Sequence, residues 1–108
     1  MEDQVRAIIE EVASSRETIC YSDLMAQVDL KHSNRGHRSK IAKLLHKACS
    51  GSFDEEGFML GSIVVSKTTG IPSPSFFKYA REIGALEHDN EQEFFEEQRA
   101  KVFDFYGG

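Results

Sequence analysis

Long apolar runs are missing from this chain. Nothing in its 108 residues approaches the about 18 consecutive apolar positions that a membrane-spanning helix needs. Cysteine is scarce as well. Two thiols, Cys20 and Cys49, are too few for a disulfide framework, and their apolar neighbourhoods suit buried free thiols. There is no internal repeat and no low-complexity tract. The opening "MEDQVRAIIEEV" is acidic and amphipathic, unlike the cationic start of a secretory signal. A protein of the reducing cytoplasm is the expectation. Hydrophobic residues at 40% and charged residues at 29% describe a globular chain and exclude a disordered one. The length suits one domain, large enough to bury a modest core without staples.

A local absence says more. From Lys31 to Lys47 the chain reads "KHSNRGHRSKIAKLLHK", with six Lys or Arg, three His and no carboxylate. Yet the whole chain carries a formal charge of −5. Residues 1–50 hold eight basic against seven acidic side chains, and residues 51–108 hold five against eleven. An acidic total does not exclude nucleic acid, because the electrostatic footprint of such a protein is a local patch.

Periodicity supplies the elements. Val5, Ile8, Ile9 and Val12 fall at helical spacing and predict a helix over Glu2–Ala13. Thr18, Ile19 and Tyr21 form a short β-prone run. Ser22 reads as the N-cap of a short helix, Asp23–Val28, whose Leu24, Met25 and Val28 face inward. "DLKHSNRG" is a turn in which Ser33 or Asn34 caps the next helix, Arg35–Cys49. At 100° per residue, Ile41, Leu44, Leu45 and Ala48 share one face of it, and Lys40, Lys43 and Lys47 lie nearly opposite. "SGSFDEEG" reads as a loop and "FMLGSIVVSK" as a strand centred on Ile63, Val64 and Val65. "TTGIPSP" is a turn cluster. Ser73 and Pro74 start a helix that ends at Gly84, with Phe76, Phe77, Ala80 and Ile83 inward. The last helix opens at Asn90 with Glu93 as capping-box partner.

The expected class is therefore α+β, mostly α. The first five elements follow the order of a winged helix-turn-helix, in which the second helix of the turn unit enters the DNA major groove and a strand hairpin forms the wing. Residues 1–72 would be that core, and residues 73–108 a two-helix extension of the same single domain.

The layout "ICYSDLMAQVDL … HRSKIAKLL … FMLGSIVVSKTTGIPSPSFFKYAREIGAL" resembles a winged-helix domain of small, mostly uncharacterised prokaryotic and phage proteins. It is also loosely similar, over residues 17–86, to the DNA-binding domain of alkylguanine alkyltransferases and alkyltransferase-like proteins, with Tyr21 and Arg38 in similar places. That resemblance implies a DNA-binding scaffold. It does not imply alkyl transfer, which needs a Pro-Cys-His-Arg motif where this chain reads "MLGSIVV". Neither Cys20 nor Cys49 has a partner arranged to activate a thiolate.

Like charges at helical spacing oppose folding by a few tenths of a kcal/mol. A solvated face would usually mix signs, and bound phosphate would relieve the repulsion. Lys40, Lys43 and Lys47 are accordingly the candidate phosphate contacts, with Lys67 beside the Gly70 turn as a wing contact. Ser33, Asn34, Arg35, His37, Arg38 and Ser39 head the helix where base edges are read. Arg38 borders the apolar face, and pairing with an acid of the C-terminal half is its alternative. His32, His37, His46 and Cys49 lack the paired spacing of a structural zinc site, so no metal and no cofactor are expected. No carboxylate pair suggests catalysis. Phe94, Phe95, Phe105 and Tyr106 either close the core or form a partner surface, such as a homodimer interface. The expected function is non-enzymatic binding of double-stranded DNA, in transcription control or another DNA transaction. The alternative is a protein-interaction module of phage or defence-system origin, built on the same scaffold.

Overall fold

The computed structural model describes residues 2–107. Its elements are α1 (Glu2–Ser14), β1 (Ile19–Cys20), α2 (Tyr21–Gln27), α3 (Arg35–Glu56), a 3-10 turn (Leu60–Ile63), β2 (Val64–Val65), α4 (Pro74–Glu82) and α5 (Glu91–Gly107). The chain is α-rich with one small sheet, in which β1 and β2 pair in parallel, Ile19 against Val64 and Cys20 against Val65. Among the described residues no helix is long and apolar enough to cross a membrane.

Two departures from the sequence reading shape the molecule. The segment expected to be a loop, "SGSFDEE", continues α3 instead. Gly51 lets the side chain of Arg6 lie close across the helix, since a Cβ there would sit 3.1 Å from its Nη1. Arg6 then reaches Glu55, with Nη2 donating to Oε2 at 2.9 Å. Tertiary contact thus outweighs the poor helix propensity of Ser and Gly. The helix stops at Gly57, whose φ of 80° is open to glycine and whose N–H closes on the Phe53 carbonyl.

The second departure is the strand expected over residues 58–67, which shrinks to two residues. Residues 58–65 are all buried, so their backbone groups need partners away from water. Side chains supply them over residues 59–61, and the sheet takes over only at Val64 and Val65. Gln98 Oε1 accepts from Met59 N–H at 2.7 Å, Ser52 Oγ from Leu60 N–H at 2.9 Å, and Cys49 Sγ from Gly61 N–H at 3.2 Å. With donors captured one by one, the segment coils into a 3-10 turn. No antiparallel partner strand follows β2 among the described residues. A tight loop closes there instead, Ser66 N–H donating to Ile71 O and Gly70 N–H to Ser66 O, both at 2.8 Å.

Smaller boundary shifts have local causes. α2 begins at Tyr21, so Ser22 lies inside its first turn and Cys20 is the N-cap, with no side-chain cap bond. α2 ends in a Schellman arrangement, Leu30 N–H on Met25 O and Asp29 N–H on Ala26 O, which places Asp29 at φ 59°. At α5, Asn90 Oδ1 accepts from Glu93 N–H as a cap should. The Glu93 carboxylate meets the Asn90 side-chain amide instead of its backbone.

The core forms two clusters. One gathers α1, α2, the first half of α3, the 3-10 turn, Val64 and Val102. The other gathers Cys49, Met59 and Val65 with Phe76, Phe77 and Ala80 of α4 and Phe94 and Phe95 of α5. α5 contributes to both, so the last helix is built into the body of the molecule. At its far end Tyr106 donates to Glu10 at 2.8 Å, which ties α5 to α1.

Candidate nucleic-acid interface

The turn before α3 is held by its own side chains. Asn34 is the N-cap, its Oδ1 accepting from His37 N–H at 3.1 Å. His37 Nδ1 accepts from Lys31 N–H at 2.9 Å. Arg38 Nη1 donates to the His32 carbonyl at 3.3 Å. Asn34, one of the two residues expected to cap the helix, therefore does so, and Asn34 and His37 both commit polar atoms to the turn. Arg38 pairs with no acid of the C-terminal half among the described residues.

From this clasp α3 projects its cations. Arg35, Arg38, Ser39, Lys40, Lys43 and Lys47 are all exposed, as is Ser33 in the turn. Among the described residues, Lys40 and Lys43 have no carboxylate within salt-bridge distance. Lys47 lies 3.6 Å from Glu2, with both side chains well exposed. Such a surface pair contributes little. The acids of α5 turn elsewhere: Glu91 meets Arg81 at 3.6 Å, Glu93 meets Asn90 and Glu96 meets Gln92. Lys67 is exposed on the loop after β2.

The aromatic residues of α5 divide differently from a partner surface. Phe94 and Phe95 are 2% exposed and belong to the second core cluster. The 3.6-residue period turns them inward, and Arg99 covers the Phe95 ring at 4.9 Å. Tyr106 is partly buried and holds Glu10. Burial, helped by that carboxylate, pushes its hydroxyl up to about 12. Only Phe105, 53% exposed, still faces outward, edge-on to Phe58 and Tyr106.

The remaining histidine and thiol candidates have separate tasks. His46 stacks on Tyr79 with ring centroids 4.2 Å apart. Desolvation lowers its pKa, against a weaker opposing pull from Glu82. Cys49 is fully buried, which pushes its thiol up to about 12 and keeps it protonated at neutral pH. Among the described residues no three His, Cys, Asp or Glu side chains are grouped to hold a metal ion.

One feature escaped the sequence reading. Along a face of α3 away from the lysines, a cavity of about 220 Å³ is walled by residues from Tyr21 to Phe76. No local pattern announces walls drawn from four separate segments. No protein-family model, no curated protein and no solved structure matches this chain.

Proposed function

We propose that this is a non-enzymatic protein that binds double-stranded DNA through the outer face of α3, in the manner of a winged helix-turn-helix. The observation that carries this reading is the exposed stripe of Lys40, Lys43 and Lys47, in which, among the described residues, Lys40 and Lys43 face no carboxylate and Lys47 meets Glu2 across a solvent-exposed 3.6 Å, with the paired acids of α5 turned elsewhere. α2, the clasped turn and α3 stand for the helix-turn-helix unit, and the Ser66–Ile71 loop with Lys67 for a reduced wing. Lys40 and Lys43 meet phosphate. Arg35, Ser39 and Ser33 are the side chains freest to meet base edges, whereas Asn34 and His37 chiefly shape the turn. Transcription control is the role such binding would serve.

Fluorescence anisotropy of a labelled random-sequence duplex tests it. Wild-type protein should bind, and the variant Lys40→Glu, Lys43→Glu, Lys47→Glu should not, while keeping the same far-UV spectrum. Equal binding by both would reject the assignment. A protein-interaction module remains the second reading, favoured only by the exposed Phe105 ring. With Phe94 and Phe95 internal, a homodimer through α5 would have to rest on Phe105 and its immediate neighbours.

A further inference from the structure

The cavity beside α3 follows one stripe of that helix: Arg38, Ile41, Ala42, Leu45, His46 and Cys49 recur at steps of three and four. Met25 of α2 and Phe76 of α4 complete an apolar floor, with Gly61 below. Gly61 is required there, because a Cβ would lie 2.6 Å from Cys49 Sγ. The rest of the lining includes a fixed polar rim. Tyr21 accepts from Ser73 N–H at 3.0 Å and donates to Ser73 Oγ at 3.2 Å, and Ser73 and Ser75 share a hydroxyl contact at 2.9 Å. This tether holds the start of α2 against the start of α4 and keeps the space open.

Charge decides what would enter. No Asp or Glu lines the cavity, whereas the exposed Arg38 and His32 do. Arg38 spends one of its five N–H donors on the His32 carbonyl, which leaves its fork available to an anion. Size sets the body of the ligand. A dry cavity of about 150 Å³ accommodates benzene, so about 220 Å³ accommodates one ring and a short arm. The Met25 and Cys49 sulfurs and the Phe76 ring suit an aromatic face.

We propose that this cavity is a binding site for a small monocyclic aromatic carboxylate, its ring on the apolar floor and its carboxylate on the Arg38 guanidinium and the Ser75 hydroxyl. Arg38, which stays charged at any ordinary pH, is the fixed charge of the site. Arg38 is the one residue this site shares with those expected to meet DNA, and the test below uses no nucleic acid.

Phenylacetate is the probe, and phenylacetamide its neutral counterpart of the same shape. Each is titrated to millimolar concentration into ¹⁵N-labelled protein without DNA, and the amide shifts are followed. Phenylacetate should shift the Gly61, Ser73 and Ser75 amides saturably and bind about tenfold more tightly than the amide, the usual return on a charge-assisted pair. Arg38→Gln, which gives up the bond to the His32 carbonyl, should erase that preference while keeping the wild-type far-UV spectrum and the saturable shifts with both probes. Ala42→Phe, which adds a ring to the lining, should abolish both titrations. Absence of saturable shifts at those three amides, equal affinity for the two probes, or an unchanged preference in Arg38→Gln would each overturn the assignment.

Discussion

Ser52 and Ser62 are both fully buried serines, and the same substitution should have opposite consequences at the two positions. Ser52 Oγ accepts the Leu60 N–H at 2.9 Å and lies 2.9 Å from the Phe58 carbonyl and 3.1 Å from the Cys49 carbonyl, to one of which it donates. It is the joint between α3 and the coiled segment that follows. Ser52→Ala leaves the Leu60 N–H, and in part the Phe58 carbonyl, buried without a partner. Each such group costs about 1–3 kcal/mol, so about 2–4 kcal/mol is expected in total. That is a large share of the about 5–15 kcal/mol available to a domain of this size. At about 4–8 °C per kcal/mol, the midpoint should fall by at least about 8 °C. Ser62 Oγ is buried with no hydrogen-bond partner. Ser62→Ala removes an uncompensated polar atom and should leave stability unchanged or raise it by about 1 kcal/mol. Urea and thermal unfolding followed by far-UV circular dichroism measure both, with equal m-values required for the comparison. If Ser52→Ala shifts stability by less than about 0.5 kcal/mol, or Ser62→Ala proves the more damaging, the hydrogen-bond account of the 58–65 segment is wrong.

Two further stability effects follow from the backbone and from titration. Asp29 occupies the left-handed region at φ 59°, so Asp29→Gly should stabilise by about 0.5 kcal/mol, the relief of strain exceeding the entropy that glycine adds to the unfolded chain. Unchanged or lower stability in urea titration would contradict that. His46 has a folded-state pKa below its unfolded value of 6.5, so the unfolded chain takes up its proton first as the pH falls. Stability is full above that value and declines as the pH drops below it. His46→Phe, which keeps the stack on Tyr79, should flatten the decline between about pH 7 and pH 5; an identical pH profile in the variant would remove His46 as its cause.

Element types were largely readable from the chain because the apolar period of α1 and α4 is strong. Of the residues the spacing turned inward, Val5 and Ile9 on α1 and Phe76, Phe77 and Ala80 on α4 are buried, and Ile8, Val12 and Ile83 are partly so. What could not be read depended on distant partners. Nothing local to "SGSFDEE" shows that Arg6 will cross Gly51 and hold Glu55. Nothing local to "FMLGSIVV" shows that Ser52, Gln98 and Cys49 will take its N–H groups and stop a strand from forming. The basic stripe was legible since it is a helical pattern within one element, and its lysines are exposed. Asn34 as cap was legible from its position, but the further bonds from Lys31 to His37 and from Arg38 to His32 were not. Phe94 and Phe95 were ambiguous in sequence because adjacent aromatics suit a core and an interface equally; only the arrival of α4 beside them decides.

The central claim is that the outer face of α3 meets phosphate, and the salt dependence of duplex binding tests it most directly. Each phosphate neutralised contributes about 0.9 to the slope of log affinity against log salt. Wild-type protein should therefore show a slope of at least about −2, with Lys40 and Lys43 each engaging one phosphate. Lys40→Gln and Lys43→Gln should each reduce its magnitude by about 0.9, and together by about 1.8, with folding unchanged. A slope near zero, or one that neither substitution alters, would contradict the account and remove α3 as the contact surface.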